Sequence, residues 1–479
     1  MRVLIVQPVP EPTPGRSPYR HEIALVGARL MRPDWTVALA VFRTWDETAL
    51  RATLAEARPD AILIYVESLA ADLAFGIAEA LRPMHSATLL FFGPHAQRCP
   101  DEALSRPGVE AVAVGPADLC IPAFLAAPAA APERLQVRGM WVNCASGVMR
   151  NPPPLAPKMS DEPPPARELY GLEPTLDRAG FAEVCAARGG QAAPKTDAGP
   201  QAPAAWPAPA PWPVLHRPVD AVLAEMMAIA EVQLDLGGFF LTNDRWTAAP
   251  WWVRDFAARY PVEIALPLRT TLHPLDVTVE VAQRLARAGC EEVRLVVGSG
   301  SALIRHDMLG LDVPPALLRA AFSVLARAGI RTVARVEVGA PYETRLTLEE
   351  TVRLLRELDP DRVEAVLHWP EPGTPAFDAA RENGLLVADP AGAYRNGRPA
   401  LAPVGLSEEE VLTACEALPY AVHRPRTAAL IRAARRMKIG KRRSLYDVAV
   451  KPLLGPPLRK RRARPGPLKS EVSNLKPQI

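Results

Sequence analysis

Apolar residues in the first 115 positions fall into two alternating kinds of segment. Short apolar runs of strand length are separated by longer stretches in which apolar residues recur at helical spacing. The predicted strands are residues 3–6, 35–41, 61–65, 88–92 and 111–114. The predicted helices are residues 21–30, 45–57, 69–81 and 101–106. This alternation predicts a doubly wound parallel sheet covered by helices on both faces, with ligands bound at the carboxyl ends of its strands.

The pattern changes beyond residue 136. A hairpin or extended piece is expected around residues 137–148, and residues 150–166 hold seven prolines in 17 positions, as in a stiff extended linker. Residues 190–218 hold eight Pro and eight Ala in 29 positions. Proline at this density can neither continue a helix nor pair as a strand, so this stretch is predicted to be a low-complexity loop.

A second alternation begins at residue 219. Its predicted helices are residues 219–231, 250–258, 277–288, 314–328 and 346–358. Its predicted strands are residues 181–185, 238–242, 262–266, 292–297, 331–338 and 362–367. Six such strand–helix units predict a partial TIM-type barrel that is open on one side, because a closed one needs eight. Residues 407–438 are predicted to be helical, and Thr347 with Glu350 forms a capping-box pattern.

The resulting organisation has five parts. A doubly wound domain spans residues 1–149, a Pro-rich linker spans 150–179, and the partial barrel spans 180–400 with the 190–218 loop inside it. C-terminal helices span residues 401–438, and a basic tail, expected to be disordered, spans 439–479.

Composition agrees with packed cores, since 49% of the 479 residues are apolar and 23% are charged. The six cysteines lie at least 21 positions apart, which excludes a CxxC zinc or redox motif. No apolar h-region follows Met1, and no uncharged apolar run approaches the ~18 residues of a membrane span. We therefore expect a cytoplasmic protein with reduced thiols.

Charge is distributed unevenly along the chain. Residues 424–470 hold 16 Lys or Arg against the single acidic residue Asp447, while the chain as a whole carries only +3. Such a segment attracts nucleic acid, an acidic membrane surface or an acidic partner. The alternative is a solvated helix followed by a disordered basic end.

Several short motifs follow the strand ends in a fixed order. In the first half they are Gly93-Pro94-His95-Ala96, Pro100-Asp101-Glu102, Val112-Ala113-Val114-Gly115 and Val137-Arg138-Gly139. In the second half they are Ala286-Arg287-Ala288-Gly289-Cys290, Gly339-Ala340-Pro341-Tyr342-Glu343-Thr344 and Pro370-Glu371-Pro372-Gly373-Thr374. In order and spacing, over about residues 1–435, they resemble the cobalamin-binding-domain radical S-adenosylmethionine (SAM) proteins.

The resemblance implies two sets of cofactor-contacting loops. The loops that correspond to cobalamin contacts hold Gln7, Pro8, Glu67, Ser68, Gly93, Pro94, His95 and Gly115. The loops that correspond to SAM contacts hold Asp244, Gly298, Ser299, Gly300 and Gly339. For two of these residues a structural role is the alternative: His95 could cap its loop. Asp244 could cap the next helix, and this is the interpretation that we favour for it.

The loop that would bind an iron–sulfur cluster departs from the family. Family members hold a [4Fe-4S] cluster through three cysteines of a CxxxCxxC loop after the first barrel strand. Arg188-Gly189 resembles the pair before the first cysteine, which places Gly190, Pro194 and Asp197 at the three thiolate positions. Glycine and proline offer no donor and aspartate is a hard oxygen ligand, so the [4Fe-4S] cluster is predicted to be absent.

The sequence thus predicts a degenerate family member without cluster-dependent SAM cleavage. It would act as a corrin-binding or ligand-binding pseudoenzyme, or as a scaffold for an active radical SAM paralogue or a pathway enzyme. Cobalamin and SAM are the candidate ligands, and no catalytic residue or metal ligand is assigned. The alternatives are an active cobalamin-dependent, methyltransferase-like radical SAM enzyme with an atypical cluster site, and a polyanion-binding scaffold that uses the basic tail.

Overall fold

The computed structural model describes residues 1–9, 17–171, 175–177, 179–189, 213–243, 245–439 and 443–454. Four residues singled out from the sequence lie outside the described residues: Gly190, Pro194, Asp197 and Asp244. Most of the predicted low-complexity loop also lies outside them.

The first sheet has seven strands in the order β2-β1-β3-β4-β5-β6-β7. They are β1 (Arg2–Pro8), β2 (Thr36–Phe42), β3 (Ala61–Tyr65), β4 (Thr88–Phe92), β5 (Val109–Ala113), β6 (Met140–Cys144) and β7 (Gly147–Arg150). The first five strands are parallel, and β6 and β7 add an antiparallel hairpin at one edge. The predicted doubly wound sheet and its closing hairpin are confirmed.

Helices cover both faces of this sheet. They are α1 (His21–Leu30), α2 (Glu47–Ala57), α3 (Ala71–Leu81), α4 (Pro94–Arg98), α5 (Pro100–Leu104), α6 (Ala117–Ala126) and α7 (Pro132–Leu135). Alternate residues of β1 point to opposite faces: Leu4 belongs to the core under α2 and α3, whereas Ile5 belongs to the core under α1 and α6. Both faces of the strand are therefore apolar, as expected for a sheet buried on two sides.

The second sheet has six parallel strands in the order β15-β14-β13-β12-β11-β8. They are β8 (Phe181–Cys185), β11 (Gly238–Thr242), β12 (Leu268–Leu272), β13 (Cys290–Gly298), β14 (Arg331–Val338) and β15 (Arg362–Leu367). A two-stranded ribbon of β9 (Ala187–Arg188) and β10 (Leu215–His216) follows β8. The predicted six-unit partial barrel is confirmed.

Five helices pack on one face of the second sheet. They are α8 (Val219–Val232), α9 (Pro250–Glu263), α10 (Val279–Arg287), α11 (Pro315–Arg327) and α12 (Arg345–Leu358). Apolar residues of β13, such as Val293 and Leu295, share a core with Leu325 and Leu355 of these helices. The intervening Arg294 therefore lies on the face turned away from the helices.

One predicted strand is wrong. The sequence predicts a helix over residues 250–258 and a strand over residues 262–266. Instead, α9 continues through Pro261 to Glu263, and the strand is Leu268–Leu272. Tyr260 is fully buried beside Phe256 one turn earlier, with 5.1 Å between the ring centroids. This packing stabilises the last turn of α9, although Pro261 disfavours a helix at this place.

The C-terminal region is more ordered than expected. After α13 (Pro375–Glu382) and α14 (Pro390–Arg395), the predicted helical stretch 407–438 is split into α15 (Glu408–Ala421) and α16 (Pro425–Arg436). A short hairpin follows, made of β16 (Lys438–Ile439) and β17 (Arg443–Ser444).

Residues 443–454 were expected to belong to a disordered tail, and this expectation is wrong. Tyr446 is buried under the guanidinium of Arg435, and Asp447 forms a 3.2 Å ion pair with the same arginine. The described part of the basic segment is therefore packed against α16. No helix among the described residues is both long enough and apolar enough to cross a membrane.

Candidate functional site

A cavity of about 470 Å³ lies where the carboxyl ends of strands from both sheets face each other. One wall follows β3 and β4, and the other is formed by β14, β15 and the segment after β15. The lining residues are Glu67, Ser68, Leu69, Pro94, Arg98, Arg335, Glu337, Val366, Leu367, Trp369, Glu371 and Tyr394. This is the edge at which parallel sheets bind their ligands.

Glu371 joins the two walls of the cavity. Its Oε1 accepts hydrogen bonds from the Ser68 hydroxyl and from Nη1 of Arg98, the latter at 2.9 Å. Its Oε2 accepts from Nε1 of Trp369 at 2.8 Å. The Glu371 carboxylate is thus held by two hydrogen-bond donors from the first wall and by one donor from the second wall, to which Glu371 itself belongs.

The other acidic side chains of the cavity are also paired. Glu67 forms a two-point ion pair with Arg20, at 2.6 and 3.2 Å, and Oε2 of Glu337 lies 2.6 Å from Nδ1 of His368. Arg335, by contrast, is half-buried, and its guanidinium has no ion pair or hydrogen bond with any residue in the described ranges. Arg335 is therefore available to an anionic group of a ligand.

An aromatic pair completes the second wall. The rings of Trp369 and Tyr394 lie 5.4 Å apart and are half-buried. Close to them, Arg395 reaches across to the first wall, where its Nη1 donates to the carbonyl oxygen of Leu69 at 2.7 Å. The cavity therefore offers aromatic surface for a ligand beside the unpaired charge of Arg335.

Of the residues predicted for the first sheet, Glu67, Ser68 and Pro94 line the cavity. His95 is buried behind this wall, with its Nδ1 3.0 Å from the Ser68 hydroxyl oxygen. Gln7 is also buried, and its Nε2 donates to the carbonyl oxygen of Pro18 at 2.6 Å.

The remaining three positions predicted on the first sheet are in close contact with the chain itself. Pro8 is buried. Gly93 has φ +101°, and a Cβ atom there would lie 2.8 Å from the ring of Tyr65. A Cβ atom on Gly115 would lie 2.6 Å from Cδ of Pro154, so the linker fills the space above this strand end.

The predicted glycine–serine loop of the second sheet packs inward. Ser299 is fully buried and its Oγ lies 3.2 Å from the hydroxyl of Thr351 on α12. The backbone N–H groups of Gly300 and Ser301 donate to Thr351 Oγ1 at 2.8 Å and to Ser299 Oγ at 3.2 Å. Because these donors are already used, they are not presented to a phosphate or carboxylate.

The other predicted glycines of this sheet also lie at strand ends. Gly298 is the last residue of β13 and has φ +67°. Gly339 follows β14, has φ +91°, and its N–H donates to the carboxylate of Glu343. The structure brings neither glycine into the lining of the cavity.

A buried ionic network stands at the beginning of the predicted cluster loop. Arg188 binds both carboxylate oxygens of Asp118, at 3.0 and 2.6 Å, and Oε2 of Glu162 at 2.9 Å. Glu162 continues to Arg217 at 2.9 Å, and Arg217 to Glu225 at 2.6 Å. The arginine that precedes the first cluster position is thus fully engaged in structural contacts.

All six cysteines lie in the described part of the chain, and none of them forms a disulfide there. Cys185 is the one nearest in sequence to the predicted cluster loop; burial raises the pKa of its thiol, which donates to the carbonyl oxygen of Ala187 at 3.1 Å. Within the described ranges, no two cysteines lie together in a group of three side chains that could hold a metal ion. These residues do not fit a [4Fe-4S] cluster, which needs three thiolates.

Sequence reasoning missed the residues of the second wall. Arg335 and Glu337 interrupt the apolar pattern of β14 at alternate positions, and this interruption was the available signal. Glu371 lies in a motif that the sequence did show, but only the fold places it opposite Ser68.

A second, larger groove of about 750 Å³ lies between α12, α15 and α16. None of the candidate site residues predicted from the sequence lines it.

Comparisons with known proteins agree with this architecture. No protein-family model matches the chain. An uncharacterized methyltransferase of Pyrococcus horikoshii is 22% identical over 347 residues, covering 69% of this chain and 71% of that protein.

Two solved structures are similar over most of the chain. The radical SAM methyltransferase TsrM from Kitasatospora setae, with tryptophan substrate and a SAM analogue bound, has a TM-score of 0.62 and 17% identity, covering 80% of this chain and 76% of TsrM. The cobalamin-dependent radical SAM enzyme OxsB, with aqua-cobalamin bound, has a TM-score of 0.63 and 12% identity, covering 92% of this chain and 69% of OxsB. The chain has the fold of these enzymes, which confirms at the level of fold the resemblance drawn from the motifs.

Proposed function

We propose that this protein binds a small molecule that carries an anionic group, a corrinoid or SAM, in the cavity between its two sheets, and does not cleave SAM through an iron–sulfur cluster. The observation that carries the first part is the unpaired, half-buried Arg335 in a cavity with an aromatic wall. The second part is supported by the residues at the cluster positions, Gly190, Pro194 and Asp197, none of which is a thiol.

The two ligand classes share chemistry that suits the cavity. The corrinoid carries a phosphodiester and SAM carries a carboxylate, and either anion can form a two-point hydrogen-bonded pair with the guanidinium of Arg335. Both ligands also have planar ring systems that can pack on Trp369. When bound, a corrinoid supplies a cobalt ion that can carry a methyl group.

The chain's own residues hold the two walls of the cavity together. Ser68 and Arg98 bind Glu371, so the first wall is tied to the second before any ligand enters. A corrinoid would contact Glu67, Ser68 and Pro94 on the first wall. It would not approach Gly115, because Pro154 already covers that glycine.

A titration of the full chain with hydroxocobalamin, and separately with SAM, tests the binding site. Arg335→Gln is expected to weaken binding of the true ligand by about ten- to a hundredfold, the effect of losing a hydrogen bond to a charged group. Arg353→Gln is the matched control, because Arg353 is an exposed arginine on α12 away from the cavity. Binding of neither compound, or equal binding by the Arg335 variant, would contradict the proposal.

Reconstitution with iron and sulfide under anaerobic conditions tests the loss of the cluster. We expect no stoichiometric iron and no charge-transfer absorption after desalting. Binding of about four irons per chain, removed by Cys185→Ala but not by Cys144→Ala, would instead support an active enzyme with an atypical cluster.

A further inference from the structure

Three metal-donor side chains converge behind the first wall of the cavity. His95 lies in α4, Cys99 lies between α4 and α5, and Glu102 lies in α5. The ligand atoms of these three residues, an imidazole nitrogen, a sulfur and a carboxylate oxygen, all lie within 4.8 Å of one another. Two short helices with one linking residue therefore bring an N, an S and an O donor to one point.

The hydrogen bonds of His95 determine which of its nitrogens is free. The Ser68 hydroxyl has a single proton, and it donates that proton to the carboxylate of Glu371. Ser68 Oγ can then only accept from His95, so Nδ1 of His95, 3.0 Å away, carries the proton. In the neutral imidazole this leaves an unshared electron pair on Nε2.

The free nitrogen points toward the other two donors. Nε2 of His95 is buried, makes no hydrogen bond, and lies 3.4 Å from Oε2 of Glu102. The residue is only 4% exposed, and its ring packs edge-on against Phe75, with 5.8 Å between the ring centroids. An electron pair that faces a carboxylate oxygen is unfavourable unless a proton or a metal cation lies between them, and a metal cation can use both groups as ligands.

The carboxylate is also held in position from behind. Oε1 of Glu102 accepts a hydrogen bond from Nη2 of Arg106 at 2.9 Å, which leaves Oε2 facing His95. The imidazole is oriented by Ser68 and the carboxylate by Arg106. Supporting hydrogen bonds of this kind are typical of metal ligands, whose second atoms are almost always fixed by a neighbour.

We propose that His95, Cys99 and Glu102 bind a divalent transition-metal ion of the zinc class. Imidazole and thiolate donors suit zinc and its neighbours, whereas calcium and magnesium prefer oxygen donors throughout. Ligand atoms of a tetrahedral zinc site lie about 3.3–3.7 Å apart, given bonds of about 2.0–2.3 Å. The His95–Glu102 pair already has this separation, and Cys99 needs to approach by about 1.5 Å at most.

Metal binding at this site has a defined proton balance. The bond from sulfur to the metal forms as the thiol of Cys99 releases its proton to solvent, while His95 binds through its unprotonated Nε2 and releases none. Three protein ligands leave a fourth position for water, which can enter because Cys99 and Glu102 are not fully buried. Through Ser68, the imidazole is linked to Glu371 and so to the wall of the cavity.

Cobalt(II) is a suitable spectroscopic probe for this proposal. The untagged full-length protein, first stripped with a chelator, is titrated with Co²⁺ and its absorption spectrum is recorded. We expect one Co²⁺ per chain, with a sulfur-to-cobalt charge-transfer band that Zn²⁺ abolishes by displacing the probe. Cys99→Ser should remove this band, whereas Cys144→Ser should leave it unchanged, because Cys144 lies at the distant β6–β7 turn.

A second pair of variants tests the carboxylate without touching sulfur. Glu102→Gln should weaken Co²⁺ binding by about tenfold or more. Glu79→Gln should not, although Glu79 is also an exposed acidic neighbour of Arg106. A wild-type protein without the charge-transfer band, or a band that persists in Cys99→Ser, would overturn the proposal and leave His95 and Glu102 as an ordinary ion pair.

Discussion

Glu343 shows how a single buried side chain acquires a role that its motif does not reveal. The sequence shows Glu343 only as part of the motif that follows β14. The structure places its carboxyl group in full burial, with one oxygen bound by the N–H of Gly339. Its other oxygen has no hydrogen-bond partner in the described chain. Burial raises the pKa of this carboxyl to about 7.

The raised pKa of Glu343 makes stability depend on pH. The unfolded chain loses the proton near pH 4.5, but the folded state keeps it to about pH 7. The free energy of unfolding therefore falls as pH rises from about 4.5 to about 7, and this loss is complete above pH 7. The side chain of Glu343→Gln stays neutral at every pH. The free energy of unfolding of this variant, relative to that of the wild type, should therefore increase by about 3 kcal/mol between pH 5 and pH 8.

Urea denaturation at several pH values measures this difference. Glu349→Gln, an exposed position on α12, is the control and should follow the wild type at every pH. Burial also raises the pKa of Glu22 to about 7. Glu22 is present in the wild type and in both variants, so its contribution to the pH dependence cancels in the comparison. An unchanged pH profile in Glu343→Gln would show that this carboxyl is ionised in the folded protein.

Close packing between elements explains the glycine–serine loop better than ligand binding does. A Cβ atom on Gly300 would lie 2.4 Å from the backbone of Glu350 and Thr351 in α12. The loop after β13 therefore touches the helix backbone directly, and only glycine allows this approach. The pattern resembles a ligand-binding loop in sequence, but here it is a contact between a strand end and a helix.

Two glycine substitutions separate packing from backbone freedom. Gly300→Ala should lower the free energy of unfolding by about 1–3 kcal/mol, because rigid backbone must shift. Gly76→Ala lies within α3, and outside the backbone of that helix nothing approaches the added Cβ within 4 Å, so it should raise the free energy of unfolding by about 0.5–1 kcal/mol. Thermal or urea unfolding measures both changes, and equal effects at the two sites would refute the packing argument.

The start of α12 corrects another sequence expectation at the scale of an element. The capping box was predicted at Thr347 and Glu350, but the helix begins one turn earlier, with Thr344 as its N-cap. Thr344 and Thr347 cap each other through side chain and backbone, at 2.9 and 3.3 Å. Threonine at the third helical position can thus replace the glutamate of the usual pattern.

At the scale of the whole molecule, buried ion pairs join the first sheet, the linker and the second sheet. Asp118 belongs to α6, Glu162 to the linker, and Arg188 to the ribbon after β8. The carboxylates are 1–2% exposed and the arginine is 16% exposed. Removing one member of such a group leaves a buried charge without its partner, which is costly.

Asp118→Asn is expected to lower the free energy of unfolding by about 3 kcal/mol, because Arg188 loses a charged partner in a buried place. Asp101→Asn breaks the exposed pair with Arg150, and should cost about 1 kcal/mol or less. Urea denaturation followed by tryptophan fluorescence measures both. Equal costs would mean that the Asp118 pair is not a stabilising link between the two halves.

The sequence by itself determined the two alternating patterns, the parallel sheets and the missing thiols, because these follow from local periodicity and residue chemistry. It failed where tertiary packing overrides local propensity, as at Pro261 in α9 and in the ordered residues 443–454. The candidate site depends on contacts such as Ser68 to Glu371, which are 303 positions apart. Only the tertiary structure decided that Arg335 is unpaired and that Glu371 meets Ser68, because long-range contacts are set by how the sheets meet and not by local sequence.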